Sequence, residues 1–322
     1  MEQYVDGVLR GDRVILARAI TVIESELPSD AELAAQILDR LLPYSGNSRR
    51  VGITGVPGAG KSTFIDAIGM FLIREYGENL AVLSIDPSSQ ISGGSILGDK
   101  TRMERLSAEE LAFIRPSPSR GHLGGVARRT RETMLLCEAA GYRNILVETV
   151  GVGQSETVVR SMTDFFLLLM LAGAGDELQG IKRGIIEMLD GMAITKADGD
   201  NKTKAGRARA EYAQALHLFP ASADGWMPPV LTCSSITGEG LSEIWQMILD
   251  HRQLVENNGF LADRRSRQAL EWMNELLLIG IEDSFRNDPK VAERLPVLRE
   301  EVRRGSITPF AASRDLLRAY HS

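Results

Sequence analysis

Residues 55–62 of this chain read Gly-Val-Pro-Gly-Ala-Gly-Lys-Ser, a G-x-x-x-x-G-K-S loop between a short apolar run, Val51–Thr54, and a segment with helical patterning. No other stretch constrains the fold as tightly. A loop of this spacing needs a strand to enter it and a helix to leave it, so the chain must contain a β-loop-α unit of a wound sheet. Glycines let backbone N–H groups turn inward around anionic oxygens, and the helix start adds its partial positive charge. Gly55, Val56, Pro57, Gly58, Ala59, Gly60, Lys61, Ser62 and Thr63 are therefore the expected phosphate-binding set. Lys61 is expected to reach the β and γ phosphates, and the Ser62 hydroxyl to ligate Mg²⁺.

The rest of the chain agrees with that unit and divides into three sections. Residues 1–47 are expected to form a helical extension. Val8, Leu16, Ile20 and Ile23 recur at helix-compatible spacing, interrupted by Gly11, and Ser29 with Glu32 reads as a capping box opening a second helix. Residues 48–252 alternate short apolar runs with helical segments. Strands are expected at Val51–Thr54, Ala81–Asp86, Leu111–Arg115, Ile145–Glu148, Phe165–Leu171, Met192–Thr195 and Val230–Cys233. Several of these runs are unbroken, as suits strands covered on both faces. The expected fold is an α/β P-loop nucleoside-triphosphatase domain with a wound, mostly parallel sheet and helical extensions at both ends. Residues 253–322 carry no strand signal. A long helix is expected around Leu270, Met273, Leu276, Leu277 and Phe285, with fresh helix starts at Pro296 and Pro309. So short a helical section must pack on the main domain or on a second subunit.

Composition excludes other classes. With 37 basic and 43 acidic side chains, a net charge of -6, the chain lacks the basic surface of a general nucleic-acid binder. The two cysteines, Cys137 and Cys233, are too far apart for a CxxC pair and read as small buried residues. Four isolated histidines argue against a dedicated zinc site. The densest apolar run, Phe165–Ala172, is too short to cross a bilayer, and no signal peptide is legible at the start. These features point to a soluble cytoplasmic protein.

Two further groups of residues narrow the ligand. Thr195-Lys196-Ala197-Asp198 follows a late strand and resembles the guanine-reading NKxD element, with Thr in place of Asn. The Asp198 carboxylate can accept from both the ring N–H and the exocyclic amine of guanine; adenine would leave it unpaired. Lys196 would lie along the base, and Ser234, Ser235 and Ile236 resemble the loop that meets the guanine carbonyl. Asp86 and Glu148 end strands where open α/β sheets place their ligands, so each is a candidate Mg²⁺ ligand, with a helix N-cap as the other reading. Glu148 also opens Glu148-Thr149-Val150-Gly151, a variant DxxG turn in which the Gly151 N–H would sense the γ-phosphate. Gln154 is a candidate for orienting the attacking water. The Gly-rich loop carrying Asp99 and Lys100 and the loop carrying Asp176, Glu177 and Lys182 are candidate switches that meet a partner. Arg128, Arg129 and Arg131 read as a solvated helix start.

At this point a family resemblance becomes specific. The segments at 86–103 (DPSSQISGGSILGDKTRM), 115–142, 148–156 (ETVGVGQSE) and 172–182 resemble the MeaB/ArgK/MMAA family, GTPases of the SIMIBI class that serve adenosylcobalamin-dependent methylmalonyl-CoA mutase. The resemblance implies GTP and GDP as ligands, with Mg²⁺ held by Ser62, Asp86 and Glu148. It implies a switch at 173–182 that answers to the mutase or a related acyl-CoA mutase, and the expected catalytic residues are Lys61, Glu148 and Gln154. It also implies a homodimer formed through the C-terminal helices, and an output that gates cofactor loading and protects the mutase. The departures are Thr195 for Asn and Ser235 for Ala. The competing readings are a nickel-delivery maturation GTPase, an ATP-dependent kinase of amino-acid transport, and a binding module with an inactive loop.

Overall fold

A computed structural model describes residues 1–25, 27–85, 103–116, 123–149, 155–172, 183–219 and 222–321. Its centre is a seven-stranded sheet formed by β1 (Arg49–Gly55), β2 (Leu80–Ile85), β3 (Ala112–Arg115), β4 (Asn144–Thr149), β5 (Phe165–Leu171), β6 (Gly191–Thr195) and β7 (Val230–Thr232). The spatial order is β3-β2-β4-β1-β5-β6-β7, and every pairing is parallel. All seven apolar runs expected to be strands are strands. β1, β2, β4, β5 and β6 are buried almost throughout, which is why they read as unbroken apolar runs.

The two faces of the sheet carry separate cores. On one, Val51 and Ile53 of β1 and Val82 of β2 pack with Phe64, Ile65 and Ile68 of the helix Lys61–Phe71 (α4) and with Ile244, Trp245 and Ile248 of the helix Leu241–Asn257. On the other, Ile145 and Val147 of β4 and Phe166 and Leu168 of β5 pack with Met134 and Leu136 of the helix Leu123–Ala139. The N-terminal helices α1 (Glu2–Leu9), α2 (Arg13–Glu24) and α3 (Pro28–Leu41) add Val8, Leu16, Ile20 and Ile37 to this second core. Gly11, at φ 73°, turns the chain between α1 and α2, and the Asp12 carboxylate caps α2 by accepting from the Val14 and Ile15 N–H groups.

Three local expectations are corrected. α3 begins at Pro28 with Leu27 at the N-cap, so Ser29 and Glu32 lie inside the helix and form no capping box; proline at the first helical position sets the start. Pro296 does not open a helix but lies within Pro289–Arg303, whose start is set instead by Asp288 accepting from Lys290 and Val291. Arg131 is not solvated: it is buried and donates to the Ser161 hydroxyl at 2.7 Å. Arg128 pairs with Glu132 one turn on. Pro309 does open the last helix, Pro309–His321, as expected.

The chain forms two compact units, Met1–Ser266 and Arg267–Ser322. In the second, Val291 and Leu298 pack with Ala312 and Leu316, and the Phe285 and Tyr320 rings meet edge to face at 5.3 Å. No helix among the described residues is long and apolar enough to cross a membrane.

Candidate functional site

Chain order places β4 and β5 on opposite sides of β1, so the direction of winding reverses at β1. In open α/β sheets the crevice at such a reversal, beyond the carboxyl ends of the strands, is where ligands sit. The loop 56–60 leaves β1 at that point. It requires glycine for two distinct reasons. A Cβ on Gly55 would lie 2.4 Å from the Leu169 carbonyl oxygen of β5, so only glycine fits. Gly58 and Gly60 instead have positive φ, 78° and 80°, with room around them, so the demand there is conformational.

Gly60 caps α4, whose first intrahelical bond runs from the Phe64 N–H to the Gly60 carbonyl at 2.8 Å. The N–H groups of Lys61, Ser62 and Thr63 precede that bond and so belong to the open first turn. No acidic side chain occupies the turn, leaving its positive potential for an anion. The Lys61 ammonium donates to the Gly55 carbonyl at 3.0 Å, folded back over its own loop.

Two side chains meet beneath the loop. The Ser62 hydroxyl donates to Glu148 Oε1 at 2.9 Å, and Glu148 is 3% exposed at the end of β4. The Thr149 hydroxyl donates to Thr54 Oγ1 at 2.9 Å, fixing the ends of β4 and β1 side by side. A serine hydroxyl and a carboxylate are hard oxygen donors. Two such protein ligands completed by phosphate oxygens and water are the usual holding for Mg²⁺, so these residues fit that ion.

Thr195 ends β6. Its hydroxyl donates to the Ala59 carbonyl at 2.8 Å and lies 3.1 Å from the Met170 carbonyl. It thus ties the phosphate loop to the strand that delivers Lys196 and Asp198. The threonine that departs from the NKxD pattern therefore has a definite task, and sequence reasoning missed it. Lys196 is exposed with φ 56°, a conformation uncommon outside glycine, and the Asn201 side-chain amide donates to its carbonyl at 2.7 Å. Asp198 Oδ2 accepts from the Ser234 hydroxyl at 2.5 Å, and that hydroxyl oxygen accepts from the Ile236 and Thr237 N–H groups at 3.2 and 3.1 Å. Ser234 is buried, Ser235 half-buried and Ile236 exposed. The 195–198 and 234–236 segments are thus one unit, joined also by the Ala197 N–H donating to the Cys233 carbonyl. The family pattern pointed to backbone contacts from 234–236; the side-chain link from Ser234 to Asp198 had no separate signal.

Of the other sequence-derived residues, Asp86, Asp99, Lys100, Gly151, Gln154, Asp176, Glu177 and Lys182 lie outside the described residues. Cys137 and Cys233 are buried and free, with burial pushing the Cys233 thiol up to about 12. Neither thiol is poised for nucleophilic chemistry.

The family model described as methylmalonyl Co-A mutase-associated GTPase MeaB matches residues 16–290. The chain belongs to this family. A protein of Caulobacter vibrioides named putative GTPase is 52% identical over 313 residues, covering 97% of this chain and 95% of its own length. The mouse protein named methylmalonic aciduria type A homolog, mitochondrial, is 44% identical over 335 residues, covering 100% of this chain and 80% of its own length. A crystal structure titled LAO/AO transport system kinase is 39% identical, superimposes with a TM-score of 0.77, and covers 100% of this chain and 97% of its own. As a MeaB-family member the chain is a P-loop GTPase, and its substrate is a guanine nucleotide.

Proposed function

We propose that this MeaB-family GTPase is a nucleotide-operated chaperone of an adenosylcobalamin-dependent acyl-CoA mutase, with methylmalonyl-CoA mutase the first candidate. GTP binding and hydrolysis gate cofactor loading and protect the mutase from inactivation. In this reading the backbone of Gly55–Thr63 and the Lys61 ammonium hold the phosphates. Asp198 reads the guanine edge, with Lys196 along the base and Ser234–Ile236 closing the pocket. Ser62 and Glu148, with Asp86, hold Mg²⁺, which when bound neutralises charge on the transferring phosphoryl group. Lys61 leaves the Gly55 carbonyl for the outer phosphates, and Glu148 holds the Ser62 hydroxyl in line. Gly151 and Gln154 belong to the turn that senses the γ-phosphate and orients water. Asp99, Lys100, Asp176, Glu177 and Lys182 carry nucleotide state to the partner.

One observation carries the reading of the site: the Thr195 hydroxyl bonded to the Ala59 carbonyl, joining phosphate loop and base loop into one frame. The client assignment rests on the family description, which names the mutase. A homodimer is part of the proposal, since Leu277, Leu278 and Ile281 leave more than half of their surface exposed on the helix Phe260–Asn287. The kinase title of the similar structure raises ATP as a rival substrate, and Asp198 argues against it.

The test is association. The full chain, immobilised with a non-hydrolysable GTP analogue or with GDP, is offered a purified adenosylcobalamin-dependent mutase. Binding that differs at least about tenfold between the two nucleotide states supports the chaperone reading. Equal binding, or none in either state, rejects it.

A further inference from the structure

Strand β2 ends beside the Ser62–Glu148 pair. In the parallel β2–β4 register Ser84 stands opposite Glu148, one place before the last β2 residue, Ile85. Two positions earlier, Val82 and Leu146 form the preceding matched pair, and both belong to the core on the α4 side of the sheet. Side chains alternate along a strand with a period of two, so Ser84 and Glu148 emerge together on that same face. The Ser62 hydroxyl, reaching Glu148 from α4, marks the face independently.

Ser84 is 2% exposed, and its hydroxyl oxygen is buried with no hydrogen-bond partner among the described residues. The earlier positions on that face of β2, Leu80 and Val82, are apolar and pack into the core. An unpaired buried hydroxyl is a net cost to the fold, and alanine in its place would avoid it. Such a group is explained when a ligand-bound state supplies its partner.

We propose that Ser84 is a positioning residue for the metal end of the nucleotide site. With phosphates and Mg²⁺ bound, its hydroxyl donates to the Glu148 carboxylate and holds it turned toward the cation. A carboxylate has about four lone-pair directions, so it can take this bond in addition to the one from Ser62 and its other contacts. Donors behind a ligating carboxylate fix its orientation and tune metal affinity. The assignment rests on the reading of Ser62 and Glu148 as the Mg²⁺ pair.

The experiment compares the full-length wild type with Ser84→Ala and Ser84→Thr in three measurements: the Mg²⁺ dependence of GTP hydrolysis, GTP affinity in excess EDTA, and thermal unfolding without nucleotide. Ser84→Ala is expected to raise the Mg²⁺ concentration for half-maximal hydrolysis about tenfold while leaving affinity in EDTA within about twofold. The same variant is expected to raise the nucleotide-free Tm by about 2 °C, because an unpaired buried hydroxyl is gone. Ser84→Thr keeps the hydroxyl and should bring the Mg²⁺ requirement back to within about twofold of wild type. An unchanged Mg²⁺ requirement in Ser84→Ala overturns the assignment. So does a lower nucleotide-free Tm with equal losses in Mg²⁺ and in EDTA, the signature of a packing role alone. Wild-type hydrolysis that needs no Mg²⁺ would sink the reading of Ser62 and Glu148 first, and the Ser84 assignment with it.

Discussion

The two ends of the sheet use similar side chains in opposite ways. At the amino end, buried charges are closed on one another. Asp164, just before β5, accepts from the Arg50 N–H, from Arg252 at 3.1 Å and from Arg265 at 2.9 and 2.6 Å. Glu138 takes two bonds from Arg50 at 2.8 Å and others from the Gly46 N–H and the Ser48 hydroxyl. Burial pushes both carboxyls up, but the hydrogen bonds and charge of Arg265 and Arg50 outweigh it and hold them below the usual range. Arg160 closes on Asp190 and Arg264 on Asp224 in the same manner.

At the carboxyl end the described side chains meet as single hydroxyl contacts instead: Ser62 donates to Glu148, Thr195 to the Ala59 carbonyl and Ser234 to Asp198. The first turn of α4 carries no acid, and the Ser84 hydroxyl has no partner among the described residues. A closed network contributes shape; an open one holds binding capacity in reserve. On the proposed reading, the guanidinium–carboxylate clusters lie at one end of the strands and the nucleotide chemistry at the other.

That contrast can be broken at either end. Replacing Lys61 with Ala removes the cation proposed to hold the outer phosphates, and Mg·GTP hydrolysis should fall at least about 10³-fold. The urea midpoint should fall less than for a replacement in the amino-end cluster, since Lys61 donates to a carbonyl of its own loop. A parallel loss of stability would mean that the open end is also structural. Replacing Asp164 with Ala should do the reverse. It removes the carboxylate that Arg252 and Arg265 share, leaving them Glu256 and the Ser48 and Gly46 carbonyls, and should destabilise the fold by about 3 kcal/mol. Equilibrium urea unfolding reads that loss, and GTP affinity of the folded protein should change less than about threefold.

A smaller effect comes from His251, 1% exposed between Asp190 and Asp224 and edge-on to Phe165 and Trp226. Burial lowers its pKa, with Asp190 and Asp224 pulling the other way and Arg264 and Arg160 adding to the fall. The native imidazole is therefore neutral where the unfolded one takes a proton. Its contribution is complete above the unfolded value near 6.5 and is lost as pH falls below it, by at most about 1.4 kcal/mol per pH unit. Glu132 has the opposite sign: burial raises its carboxyl despite the Arg128 pair, so its part of the stability declines as pH rises. The difference between wild type and His251→Phe isolates the histidine, and the variant should lose less stability than wild type between pH 6.5 and 5.5. Parallel curves would remove His251 from the amino-end network.

Much of this was legible in the sequence, for a physical reason that also marks what was not. The strands declared themselves because both faces are covered, so burial left no polar alternation to confuse with a surface element. The phosphate loop declared itself because backbone geometry admits few substitutes at Gly55, Gly58 and Gly60. Misreadings came where a local rule had a local competitor. Ser29 and Glu32 have capping-box spacing, but Pro28 had already begun the helix. Pro296 read as a helix start, yet it lies on an exposed face of Pro289–Arg303, where water can satisfy the carbonyl one turn before it. Arg128, Arg129 and Arg131 read as one solvated cluster, but helical rotation turns Arg131 inward. Thr195 could be recognised only as a departure, because its partner Ala59 is 136 positions away.

The central claim is that the carboxyl end is built for guanine, and calorimetric titration of the wild type and of Asp198→Asn with GTP, ATP and XTP tests it directly. Guanine presents two donors to the Asp198 carboxylate, whereas xanthine presents a carbonyl where guanine has its amine, which an asparagine amide can meet. Wild type should bind GTP at least about 10³-fold more tightly than ATP, and Asp198→Asn should lose that preference while gaining XTP. GTP selectivity that survives in Asp198→Asn, or a wild type that binds ATP as tightly as GTP, would contradict the account.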